Sequence, residues 1–148
     1  MNKFIKETLK LAQRAASHGD VPVGAIIVRD GKIISRGENQ VQLKHNPTLH
    51  AEIVAINKAC KKLGVKFLDN CEIYVSLEPC AMCATAISFA RIKRVIFAAA
   101  DEKGGGVLHG ARVYETQKNL WKPFVSQMPE FEPESAKLLK DFFKQRRA

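Results

Sequence analysis

His50 and Glu52, two residues apart, and Cys80 and Cys83, three apart, are the side chains whose types and spacing best suit chemistry. Cysteines at i and i+3 share one face of a helix, close enough to bind a single ion. In the first turn, at the positive end of the helix macrodipole, they also favour the thiolate form that ligation needs. An imidazole from a second helix start, His50, supplies a third ligand. Three protein ligands leave one tetrahedral position on zinc open, where water binds and is acidified to a pKa of about 7. A carboxylate that is not a ligand then becomes the natural proton carrier, and Glu52 fills that role. General acid–base help of this kind is worth on the order of 10²–10⁴ in rate. The spacing also sets a difficulty, because residues two apart do not share a helix face. His50 and Glu52 converge only if the site views their helix end-on, with His50 in its opening turn.

Two blander readings compete. A Cys-x-x-Cys pair alone can be a redox dithiol, although such a pair more often stands without a His-x-Glu segment on a preceding helix. A structural zinc site would want a fourth ligand, for which Cys60 and Cys71 are the candidates. Cys60 falls on the apolar stripe of its helix and Cys71 begins the inward set of a strand, so both read as small buried hydrophobes. In a reducing compartment four such cysteines more often bind metal or lie buried than pair as disulfides.

The elements that must carry these residues follow from periodicity. Phe4, Ile5, Leu9, Ala12 and Ala15 or Ala16 recur at helical spacing over Lys3 to His18, and Gly19-Asp20 stops that helix. Val23 to Val28 reads as a buried strand, Asp30-Gly31 as a two-residue hairpin turn, and Lys32 to Glu38 as the return strand. Thr48 is a fair N-cap for a helix reaching Leu63, closed by Gly64, with Ile53, Ile56, Cys60 and Leu63 as its apolar stripe. Cys71, Ile73, Val75 and Leu77 alternate with Glu72, Tyr74 and Ser76 in a period-two strand. Pro79 suits the first turn of a third helix ending near Arg91. Val95 to Ala100 is a further buried strand, Gly104-Gly105-Gly106 a loop, Pro123 to Met128 a last strand, and Pro133 the start of a terminal helix. Strands alternating with helices after an initial hairpin predict an α/β fold: a three-layer α/β/α sandwich around a central mixed, five-stranded sheet.

The 148 residues fit one domain, residues 1–148, and show no repeat, low-complexity tract or linker. Hydrophobic residues at 46% and charged residues at 26% match a soluble globule and exclude a disordered chain. No apolar run approaches a membrane span, and Met1 to Lys10 is amphipathic, with no apolar stretch before a cleavage site. The expected address is the cytoplasm. A net charge of +9 suits either a polyanionic partner or solubility alone.

His50-Ala51-Glu52 and Pro79-Cys80-Ala81-Met82-Cys83 together resemble the His-x-Glu and Pro-Cys-x-x-Cys pattern of the zinc-dependent nucleobase deaminases, the cytidine/deoxycytidylate deaminase superfamily. Within it the chain is most similar to the bacterial deaminases that convert the wobble adenosine of a tRNA anticodon to inosine. The likeness covers most of the chain. It is carried by Val21-Pro22-Val23-Gly24-Ala25, by Pro47 through Glu52, by Val75 through Cys83, and by Asp141-Phe142-Phe143 with Arg146-Arg147. It implies a cytidine-deaminase-like fold, one zinc ion per chain on His50, Cys80 and Cys83, hydrolytic attack at C6 of adenine with Glu52 as proton shuttle, and a homodimer. It also implies that Asn39 reaches the bound base or its ribose and that the Ala51 amide faces the base. Three departures stand out. Thr85 replaces a usual Gly, Ala99-Ala100-Asp101 lacks the usual arginine, and Gly104-Gly105-Gly106-Val107-Leu108-His109-Gly110 replaces the usual Gly-rich loop.

The expected partner is the tRNA anticodon loop, since an unpaired nucleotide is cheaper to splay into a buried site than a stacked one. Lys137, Lys140, Lys144, Arg146 and Arg147 make the last helix basic, and its terminal arginines are placed to track phosphate. Of the aromatics interleaved with them, Phe142 or Phe143 reads as packing inward on the Leu139 side. A guanine deaminase or other small-base enzyme is the rival within the same chemistry, helped by Lys58-Ala59-Cys60-Lys61-Lys62-Leu63-Gly64. A non-catalytic zinc module that binds RNA is the rival from another class. His18, His45 and His109 carry no assignment.

Overall fold

The computed structural model describes residues 2–147. Helix α1 (Asn2–Ser17) buries Phe4, Ile5, Leu9, Ala12 and Ala15 along one face, as the periodicity predicts. Strands β1 (Gly24–Arg29) and β2 (Lys32–Glu38) form the hairpin, and its turn residues Asp30 and Gly31 both have positive φ, 51° and 73°, as a primed turn requires. Helix α2 (Ala51–Leu63), strand β3 (Cys71–Leu77), helix α3 (Ala81–Phe89) and strand β4 (Arg94–Ala99) follow in order. A one-turn helix α4 (Val113–Thr116), strand β5 (Phe124–Gln127), a 3-10 turn (Pro129–Phe131) and helix α5 (Glu132–Arg147) complete the chain.

The sheet order is β2-β1-β3-β4-β5. β1 pairs antiparallel with both β2 and β3, whereas β3, β4 and β5 run parallel, so the five-stranded sheet is mixed as expected. Helices cover both faces. On one, Phe4, Ile5 and Leu9 of α1 and Leu138 of α5 pack with Ile26, Tyr74 and Ile96. On the other, Ala51, Ala55 and Ala59 of α2 and Ala84 and Ile87 of α3 pack with Ile27, Ile73 and Phe97. The period-two pattern of β3 therefore sorts residues between two cores: Ile73 and Val75 enter one, Tyr74 the other.

Local boundaries depart from the sequence reading where loop chemistry or close packing prevails. Thr48 does not cap α2; its amide and hydroxyl both bond Asn46 Oδ1, at 2.9 and 2.8 Å, and the helix starts three residues later with His50 as N-cap. The buried face of α2 is Ala51, Glu52, Val54, Ala55, Ile56 and Ala59, leaving Ile53, Cys60 and Leu63 half-buried. Small side chains let the helix sit close on the sheet, and Gly37 of β2 is what it sits on. A Cβ there would meet the Ala51 carbonyl oxygen at 2.5 Å and the Ala55 amide at 2.7 Å. Cys60 is thus not a core residue, although Cys71 is, at 1% exposure. Helix α3 starts at Ala81, not Pro79, with Cys80 as its N-cap. Among the described residues, no helix is long and apolar enough to cross a membrane.

Candidate active site

His50 and Cys80 occupy equivalent places. Each is the residue before a helix, in extended backbone (φ −67°, ψ 157° and φ −70°, ψ 175°), and neither caps its helix with its side chain. Both side chains are therefore free to turn toward the same point between the starts of α2 and α3. His50 Nδ1 lies 3.6 Å from Cys80 Sγ and 3.5 Å from Cys83 Sγ. All three donor atoms fall within 4.8 Å of one another, and among the described residues no other His, Cys, Asp or Glu joins them. The difficulty of the two-residue spacing disappears, because His50 is outside the helix and Glu52 is its second residue. The pair views α2 from its end.

The donor set suits zinc: two sulfurs and one imidazole nitrogen, with room for a fourth, non-protein ligand. The two thiols are driven in opposite directions. A hydrogen bond from the Cys83 thiol, helped by His50 and opposed by burial, holds Cys80 down at about 4. Its hydrogen bond to Cys80, together with burial, pushes Cys83 up. His50 is raised, chiefly by its hydrogen bond with Cys80, against the effect of burial. Glu52, at 3% exposure, is pushed up to about 7 by burial, while His50 nearby acts in the opposite sense. A carboxyl at that value exchanges its proton near neutral pH.

His50, Glu52 and Cys80 line a cleft of about 520 Å³, with Cys83 buried behind them. Asn39 lines it from the end of β2, at 8% exposure. Its Oδ1 accepts the Ala51 N–H at 2.7 Å and its Nδ2 donates to the Val21 carbonyl at 3.0 Å. The Ala51 amide is thus engaged by Asn39 within the protein, and Ala51 itself is fully buried. On the rim, Phe142 is half-buried and Phe143 is 45% exposed. Both line the cleft, where the sequence reading has one of the two packing inward. Arg146 is docked: its guanidinium donates to the Gly19 carbonyl and lies 4.8 Å from the Phe142 ring centroid. Arg147 is the last residue of α5, and its side chain lies outside the described ones.

Sequence reasoning passed over several residues that shape this site. Asp20, 1% exposed, accepts the Gln42 and Leu43 amides at 2.7 and 3.2 Å and so fixes one wall. Glu78, 2% exposed, lines the cleft and accepts the amides of Val107, Leu108 and His109. Tyr114 of α4 donates to the Ala84 carbonyl at 2.7 Å behind Cys83.

A mixed sheet flanked by helices, with two helix starts aiming one imidazole and two sulfurs at one point beside a buried carboxylate, defines a candidate zinc centre with a proton carrier next to it. The family profile of MafB19-like deaminases matches residues 1–147. A tRNA-specific adenosine deaminase of Aquifex aeolicus is 43% identical over 148 residues, spanning 97% of this chain and 94% of that protein. One of Rickettsia bellii is 44% identical over 142 residues, 95% of this chain and 97% of that protein. A solved structure from studies of A-to-I editing by tRNA:A34 deaminases superposes with a TM-score of 0.90 at 41% identity, covering 94% of this chain and all of that one. A guanine deaminase of Bacillus subtilis is 50% identical, but over 97 residues, 65% of this chain and 62% of that protein. The chain belongs to the MafB19-like deaminases and, among them, to the family of tRNA-specific adenosine deaminases.

Proposed function

We propose that this protein converts adenosine to inosine at the wobble position of tRNA, as a single hydrolytic deaminase domain over residues 1–148. The meeting of His50, Cys80 and Cys83 around one point, with buried Glu52 beside them, carries the reading. Those three side chains would hold one zinc ion, which when bound supplies Lewis-acid activation of water at its open position. Glu52 takes a proton from the attacking water, places it on a ring nitrogen of the adenine, and delivers one to the departing amine at C6. Burial disfavours its charged form, which suits a carboxyl that must hold a proton as well as take one. Asn39 lines the cleft and, after its two bonds, keeps one N–H and one lone pair for the base or ribose. The Ala51 amide acts through Asn39, aligning it.

The substrate assignment rests on the full-length relatives and on the shape of the cleft. The partial reach of the guanine deaminase match, which stops well short of the whole chain, weighs against a free-base enzyme. Phe142 and Phe143 at the mouth offer rings for flanking bases, and the charge of +9 draws in a polyanion. Arg146 and Arg147 end the same helix and add to its positive charge. The enzyme works in the cytoplasm with its tRNA substrates, as a homodimer. Phe89, 68% exposed, and Met82, 37% exposed, lie on α3, an apolar surface suited to a second copy.

An anticodon stem-loop bearing wobble adenosine, compared with free guanine, adenosine and cytidine, tests this reading. Inosine in the stem-loop alone is expected. Ammonia from free guanine alone would replace tRNA by a free base as the substrate.

A further inference from the structure

The loop from Asp101 to Gly110 is built around one side chain. Glu78 Oε2 accepts the Val107, Leu108 and His109 amides at 3.2, 2.8 and 2.9 Å. Its Oε1 accepts the Asp101 amide at 3.1 Å and the His109 Nδ1–H at 2.7 Å. Three consecutive amides turned onto one carboxylate form an anion-holding concavity, here filled by the protein's own acid. Although burial opposes the charge, those bonds keep Glu78 ionised, below the usual carboxylate range. The loop is made to fit. A Cβ on Gly105 would come within 2.7 Å of Glu78 Oε2, and one on Gly106 within 2.5 Å of the Ala81 amide nitrogen.

The same segment grips the turn that carries Cys80. The Gly106 amide donates to the Pro79 carbonyl at 2.8 Å, and the Glu78 amide donates to the Ala99 carbonyl at 2.8 Å. Glu78 and Asp101 both line the cleft. One buried acid therefore ties the cleft wall to the strand end that precedes the metal turn.

We infer that Glu78, with His109 as its side-chain partner, is a positioning residue that pins the Asp101–Gly110 loop against the turn carrying Cys80 and so fixes Asp101, the loop residue that lines the substrate cleft. This rests on the RNA reading above for its kinetic consequence and not for its structural one. Gln at position 78 keeps the shape but turns an NH₂ group toward N–H donors, so part of the cradle is lost.

The test compares wild type, Glu78→Gln and His109→Ala, each loaded with zinc and assayed for metal content. Hydrogen exchange and kinetics on the wobble-adenosine stem-loop are then measured. In Glu78→Gln the amides of residues 107–109 should exchange at least about tenfold faster, with α1 unchanged. KM should rise roughly tenfold, with kcat within about twofold and zinc retained. His109→Ala should move both in the same direction by less, and it carries the test if Glu78→Gln does not fold. Unchanged exchange and KM would overturn the inference. So would zinc loss from Glu78→Gln with a wild-type KM in the loaded fraction, since Glu78 would then support the metal turn alone. If wild type itself leaves the stem-loop untouched, the RNA reading fails, and the exchange measurement still decides whether Glu78 holds the loop.

Discussion

Asn39 Oδ1 accepts the Ala51 N–H at 2.7 Å, joining the end of β2 to the first residue of α2. Since Ala51 stands between His50 and Glu52, this one bond sets the register of both relative to the cleft. The bond is shielded from water, and its loss strands a buried amide. Asn39→Ala should therefore cost about 1–3 kcal/mol in urea denaturation. It should also lower kcat/KM, with zinc content unchanged. Asn39→Asp keeps the Ala51 bond but loses the donor to Val21, and should fall between the two.

Gly37 lets α2 approach β2 closely. With Ala at this position the new methyl would press on the Ala51 carbonyl and the Ala55 amide. Backbone cannot rotate away, so the start of α2 must lift. Overpacking of this kind costs about 1–3 kcal/mol. Activity should fall further than stability alone explains, because His50 and Glu52 ride on that segment; thermal melts and steady-state rates on the same samples would show it.

Asp20 holds the 42–43 amides from beneath, with His18 Nδ1 3.0 Å from its Oδ2. Asp20→Asn turns an amide group toward one of those donors. The expected result is an increase in KM with little change in kcat, because the loop it anchors lines the cleft and carries no metal ligand.

Zinc binding displaces protons, since the imidazole must be neutral and both thiols ionised. Metal retention should therefore weaken as pH falls, and dialysis against a chelator should remove zinc more readily at acid than at neutral pH. Apo-protein should melt at a lower temperature than the zinc form, because a ligand bound only by the folded state stabilises it. Cys83→Ser should lose the metal outright and with it all turnover.

Much of this was legible in the sequence, for stateable reasons. Period and turn chemistry alone place α1, the Asp30-Gly31 hairpin and β3 within a residue or two. The His-x-Glu and Cys-x-x-Cys spacings locate the metal site because ligand geometry leaves few alternatives. What failed was decided by tertiary contact. Thr48 has the chemistry of an N-cap, but Asn46 two residues back takes up its hydroxyl and amide, and the helix start moves to His50. The Ile53 stripe misreads α2 because helix-to-sheet distance, set by Gly37 and the alanines, outweighs side-chain hydrophobicity. Glu78 and Asp20 were passed over because their worth lies in amides that neighbour them only in the folded chain. Phe142 and Phe143 have the composition of core residues, and only the path of α5 past the cleft puts them on its rim.

Glu52→Gln is the most direct measurement. It is nearly isosteric, leaves His50, Cys80 and Cys83 in place, and removes the proton carrier alone. Purified Glu52→Gln should hold one zinc per chain as wild type does, while inosine formation on the stem-loop drops by on the order of 10²–10⁴. Turnover within a few-fold of wild type in the zinc-loaded variant would contradict the account.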